Sequence, residues 1–144
     1  MISQEVTMVP TPNSPTVTLV PDDERMDFLP RLFPGCFSRG EALVYGVTRK
    51  WFPAYNGGQW DFFLIDGRPG FMAPAGEGGL DAMIPGNQFE GHLSHQAVGV
   101  VVTLVALAAS LEQVPSETLL GHYERLRALI PHLPERDLIY RAID

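Results

Sequence analysis

The sequence predicts an α+β domain of two layers, in which a short antiparallel β-meander of about four strands packs against helices. Three observations predict it. Apolar residues recur at helical spacing on either side of the chain's middle, alternation by twos punctuated by Gly and Pro turns fills Gln59 to Leu93, and no charged residue stands between Glu90 and Glu112. The order is helix, helix, four short strands, then three helices, with no internal repeat.

At 144 residues, with 45% hydrophobic and 19% charged residues, the chain has the length and balance of one globular domain. Met1 to Pro21 holds Pro10, Pro12, Pro15 and Pro21 and no Lys or Arg, which reads as a flexible or loosely docked tail. Its Thr16 to Val20 run leaves an edge strand open. The expected division is therefore a Pro-rich tail over 1–21 and a single domain over 22–144. The tail lacks the basic start and apolar core of a secretory signal, so a cytoplasmic protein is expected.

Asp22, Asp23 and Glu24 place negative charge at a helix start, and Met26, Leu29, Leu32 and Phe33 follow at helical spacing, with Pro30 as a break or kink. Ser38 precedes Glu41 at the spacing of a capping box, so a second helix is expected from Arg39 to about Tyr55. Its apolar stripe is Leu43, Val44, Val47, Trp51 and Tyr55. Strands follow over Gln59 to Asp66, Phe71 to Ala73, Leu80 to Ile84 and Gln88 to Leu93, with Gly67 to Gly70, Gly76 to Gly79 and Pro85 to Asn87 as connections. Short connections of this kind predict a meander with one covered and one partly polar face. Val98 to Leu111 is shorter than the roughly 20 apolar residues of a membrane span and reads as a buried core helix capped by Ser94. Ser116 and Glu135 start the last two helices.

Ten Lys and Arg against seventeen Asp and Glu give a formal net charge of −7. That balance argues against binding by broad phosphate neutralisation, and it is too mild and too interrupted by arginines for a surface that imitates DNA. Cys36 is the one cysteine, which excludes an intramolecular disulfide and a four-thiolate zinc site.

The constellations that suggest chemistry are sparse. Cys36 with His92, His95, His122 or His132 is a possible thiolate pair, but Cys36 sits beside Phe37 in a setting typical of a structural thiol. His92 and His95 lack a third and fourth metal ligand, and neither Asn56-Gly57-Gly58 nor Gly76-Glu77-Gly78-Gly79 precedes the Lys-Ser/Thr of a phosphate loop. Asp61, Asp66, Asp81 and Glu90 read as solvated strand residues. No catalytic residue, metal or cofactor is expected. One flank of the second helix stands out: Glu41, Tyr45, Arg49 and Phe52 fall together beside the core stripe, either as a partner-binding surface or with Tyr45 and Phe52 packed under the N-terminal helix or tail.

Four stretches together carry a resemblance: Gly40 to Tyr45, Tyr55 to Trp60, Phe71 to Pro74, and Ile139 to Asp144, with Gly99 to Leu107 also matching. In this order the chain, from about Met26 onward, resembles the ArdB/KlcA antirestriction family. The resemblance implies a small α+β protein of plasmids or other mobile elements that protects DNA from type I restriction endonucleases. It implies protein interaction with the restriction enzyme or a host factor controlling it, not DNA mimicry, and no established catalytic site. Arg141 and Asp144 in the last matching stretch become candidates for a partner contact or a terminal salt bridge. The competing reading is a small Cys/His-dependent hydrolase or transferase.

Overall fold

A computed structural model describes residues 14–144. Residues 1–13, the larger part of the expected tail, lie outside it. Five strands and five α-helices follow in the order β1 (Val17–Leu19), α1 (Arg25–Leu32), α2 (Phe37–Trp51), β2 (Trp60–Ile65), β3 (Arg68–Pro74), β4 (Leu80–Ile84), β5 (Phe89–Leu93), α3 (His95–Gln113), α4 (Glu117–Leu129) and α5 (Arg136–Ile143). The fold is α+β. β1 is the edge strand left open for Thr16 to Val20, pairing antiparallel with β2, and Val20 behind it is buried.

The expected single meander divides into two antiparallel sheets, β1-β2-β3 and the hairpin β4-β5. The reason lies at the outer edge of β3. Met72 donates its N–H to Thr103 Oγ1 at 3.1 Å and accepts the Thr103 hydroxyl proton on its carbonyl at 3.1 Å, so α3 occupies the edge that a fourth strand would need. Gly76, Gly78 and Gly79, all at positive φ, then carry the chain away from β3.

Nor does the larger sheet keep a polar face. Phe62 and Phe63 on β2 are both buried although they point to opposite sides. Phe28 of α1 stacks on Phe62 with centroids 4.6 Å apart, and Phe71 stacks on Phe63 at 4.8 Å. Only the hairpin keeps the expected alternation, with Ala82, Ile84, Phe89 and Leu93 buried and Asp81, Met83, Glu90 and His92 exposed.

Helix ends follow local chemistry. Ser94 and Ser116 cap α3 and α4 by accepting from the N–H groups of Ala97 and Leu119. The capping box at Ser38 and Glu41 does not form: Cys36 accepts from Gly40 N–H, so α2 starts two residues earlier than expected, and the Glu41 carboxylate accepts from Tyr45 Oη–H instead. Pro53 ends the helix early as well, because a proline disfavours helical φ/ψ in the residue before it, here Phe52 at φ −127° and ψ 85°. Pro30 is accommodated inside α1. After α4, Ile130 opens a 3₁₀ turn over Ile130–His132 with Pro131 at its start.

The core centres on α3, which packs against β3, β5, α2, α4 and α5. By length and composition alone α3 is apolar enough to cross a membrane, but Val98, Val101, Val102, Ala106 and Leu107 are completely buried in the protein. Burial on nearly all sides explains why its sequence lacks a polar stripe.

Candidate functional site

A cavity of about 640 Å³ opens where β5 hands over to α3. Its wall is Gly76 to Gly79 on one side, His92, Ser94, His95 and Gln96 across the strand-to-helix junction, and Glu135 from the start of α5. Short elements bring these together. Pairing of β4 with β5 sets Asp81 opposite His92, and the glycine loop before β4 folds back over the imidazole.

His92, Ser94, His95 and Glu135 each have a structural partner. His92 Nδ1 lies 2.7 Å from the Asp81 carboxylate and Nε2 lies 2.6 Å from the Gly78 carbonyl. Both partners are acceptors, so the arrangement suits the doubly protonated imidazolium, and the Asp81 hydrogen bond followed by that of Gly78 raises the His92 pKa. His95 Nδ1–H donates to the Pro74 carbonyl at 3.0 Å. Glu135 accepts from the Ser94 hydroxyl and, at 2.9 Å, from the Ser94 N–H, clasping α5 to the start of α3. Ser94 Oγ meanwhile accepts from Ala97 N–H.

Gln96 and Glu77 complete the lining, while His92, His95, Ser94 and Glu135 hold the chain in shape. Among the described residues no cluster of three or more His, Cys, Asp or Glu side chains is placed to hold a metal ion. No hydrogen bond or ion pair joins Cys36 to a histidine among those residues, and His122 on α4 is engaged by the Arg31 carbonyl and the Arg125 guanidinium instead.

The residues singled out in the sequence fall at two other places. On α2, Tyr45 donates to Glu41 at 3.0 Å and packs its ring against Trp60, centroids 5.3 Å apart; burial and the Glu41 carboxylate push its pKa up to about 12. Arg49 and Lys50 are exposed. Phe52 is fully buried, so it belongs to the core and offers nothing to a partner directly, the packed alternative of the two readings of this flank. At the other place, Arg141 lies over the Phe89 ring at 5.4 Å, and Asp144 reaches Arg127 at 3.9 Å, the terminal salt bridge foreseen as one role for it. With Asn87, Gln88 and Tyr140 they line a shallow depression. The Glu135 clasp was missed because its partner, Ser94, is 41 residues distant in sequence.

A small α+β protein with an open polar cleft at the junction of β5 and α3 is the class that this geometry defines. The chain belongs to the antirestriction protein family, whose family model matches residues 53–144. Two antirestriction proteins KlcA of Escherichia coli are each 37% identical to it, one over 90% of this chain and 94% of its own length, the other over 96% and 100%. The putative antirestriction protein YubI of E. coli K12 is 30% identical over 90% of this chain and 96% of its own. A solved structure superposes with a TM-score of 0.79 and 40% identity, covering 90% of this chain and 95% of the other. It comes from a study of KlcA and ArdB, which are described there as having a novel fold and antirestriction activity against type I DNA restriction systems in vivo but not in vitro.

Proposed function

We propose that this protein protects DNA carried by a mobile element against type I restriction in the cytoplasm, by contacting the restriction enzyme or a host factor that controls it. The observation that carries this reading is kinship over nearly the whole chain with antirestriction proteins, at 37% identity to KlcA. Activity in vivo but not in vitro, as described for KlcA and ArdB, supports the second of these targets, a host factor present in the cell and missing from a purified cleavage reaction. A net charge of −7 supports protein contact in place of direct DNA binding, since no broad cationic track is available to neutralise phosphates.

Binding without catalysis fits the cleft, whose His92, Ser94 and Glu135 are engaged in local structure. Glu41, Tyr45 and Arg49 on α2, and Arg141 with Asp144 at the end of α5, are the contact candidates. Transfer of an unmodified plasmid into a type I restricting host tests the proposal. Expression of the chain in the recipient is expected to raise transfer toward the level of a non-restricting host, and equal transfer with and without it contradicts the reading.

A further inference from the structure

His92 meets an acceptor at each ring nitrogen, the Asp81 carboxylate 2.7 Å from Nδ1 and the Gly78 carbonyl 2.6 Å from Nε2. A neutral imidazole carries one N–H and one lone pair, so it can make only one of these bonds, and at the other nitrogen two lone pairs would face each other. Both contacts together require the imidazolium. When the proton leaves, Nδ1–H stays with the charged Asp81 carboxylate, the stronger acceptor, and the Gly78 carbonyl is the partner given up.

That carbonyl belongs to a loop with little else to fix it. Ala75 N–H donates to the Gln59 carbonyl at 2.8 Å on one side of the loop, and Leu80 pairs with Leu93 on the other. Between these anchors, the contact of Gly78 with His92 is the one hydrogen bond that Gly76 to Gly79 make among the described residues. The loop nonetheless lies close against the junction of β5 and α3. A Cβ on Gly79 would collide with the Leu93 carbonyl and stand 2.6 Å from His92 Nε2, and one on Gly76 would stand 2.9 Å from His95 Cε1. The same four residues form one wall of the cleft.

The groups around the imidazole favour its cation. Asp81 faces it from β4, Glu90 shares an exposed depression with it on β5, Glu77 lies in the loop and Glu135 at the start of α5 lines the same cleft. His95 on α3 is the other titratable side chain of the lining, and among the described residues no lysine or arginine lines it. The His92 pKa is raised, chiefly by the Asp81 hydrogen bond and then by that of Gly78. His92 and Asp81 are both exposed, so solvent reaches the proton.

We propose that His92 is a proton-controlled latch on the cleft: as imidazolium it holds the wall of Gly76 to Gly79 against the junction of β5 and α3, and as neutral imidazole it releases that wall. The latch is separate from the antirestriction reading, and its test needs no restricting host, so either can fail alone.

The test is NMR of the full, 15N-labelled chain titrated from below pH 6.5 to well above it, following the His92 ring and the Gly76, Gly78 and Gly79 amides. The heteronuclear NOE of those amides measures fast loop motion. The glycine amides are expected to shift with the same midpoint as the His92 ring, above 6.5, and their NOE to fall as the ring loses its proton. Asp81→Asn is expected to carry both midpoints down together, because it removes the carboxylate that favours the cation. His92→Phe, which has no ring donor, is expected to abolish the shift and keep the NOE low at every pH. His132→Gln, at an exposed histidine outside the cleft lining, should behave as the parent does. Melting curves confirm that each variant is folded. Glycine amides that stay fixed while His92 titrates, an NOE equal on both sides of the midpoint, or a loop in folded His92→Phe as ordered as in the acid form of the parent overturns the proposal.

Discussion

Thr103 Oγ1 holds both backbone groups of Met72, accepting from its N–H and donating to its carbonyl, each at 3.1 Å. One hydroxyl therefore substitutes for the strand that β3 lacks at its outer edge. Gly99, one helical turn earlier, makes the approach possible: a Cβ there would sit 2.6 Å from the Met72 carbonyl oxygen and 2.7 Å from the Ala73 Cα. Glycine and threonine four residues apart thus press α3 against β3 and decide that the protein has two sheets.

Thr103→Val is expected to destabilise the protein by about 1 to 3 kcal/mol for each Met72 group left buried and unpaired. Thr103→Ser keeps the hydroxyl and should lose much less. Urea denaturation compares the three; a Val variant with the parent's midpoint would show that these bonds contribute nothing net.

Gly99→Val and Val102→Asp attack the same helix by different routes. The first forces α3 off the β3 backbone, and the second buries an unpaired charge at a fully enclosed position, a cost of several kcal/mol set against the roughly 5 to 15 kcal/mol stability of a domain. Neither variant is expected to show a cooperative melt near the parent temperature. Retention of one would place α3 outside the core.

Acidity should act on two histidines in opposite senses. The folded pKa of His122 lies below the ordinary 6.5, chiefly through burial, so the unfolded chain binds more protons as pH falls through that value, and stability drops until the folded pKa is passed. His92 has its folded pKa raised, so its contribution is complete below 6.5 and disappears as pH rises through the folded value. Thermal melts across this range should show His122→Leu losing less stability on acidification than the parent, and the deficit of His92→Asn shrinking at alkaline pH. Parallel profiles for all three proteins would contradict both assignments.

Charge reversal at Glu41→Lys, Arg49→Glu and Asp144→Lys is expected to impair protection, because reversed interface charges can cost several kcal/mol in like-charge contact. His92→Ala, His95→Ala and Cys36→Ala should protect as the parent does. Glu41 and Asp144 also contact Tyr45 and Arg127, so circular dichroism must accompany their activities. Full protection by the reversals with loss in a histidine or cysteine variant would restore the Cys/His-dependent chemistry.

Much of the architecture was legible because periodicity and capping are local signals. Ser94, Ser116 and Glu135 mark the helix starts, and the alternation in Ala82, Ile84, Phe89 and Leu93 identifies the inner face of the hairpin. The divided sheet was not legible, since it depends on a single hydroxyl meeting a backbone 31 residues away. The start of α2 was misplaced because a capping box is defined by spacing, while Cys36 already accepts from Gly40 N–H. Of the surface candidates, Phe52 is buried, which is the packed alternative the sequence left open for it; periodicity placed it on the helix flank but could not choose between packing and exposure.

Plating of unmodified phage on a type I restricting host, beside an otherwise identical non-restricting host, measures the central claim most directly. With the chain expressed, plating on the restricting host is expected to approach that on the non-restricting one, while purified enzyme mixed with purified protein continues to cleave DNA. Plating that stays fully restricted in cells containing the folded protein would contradict the account.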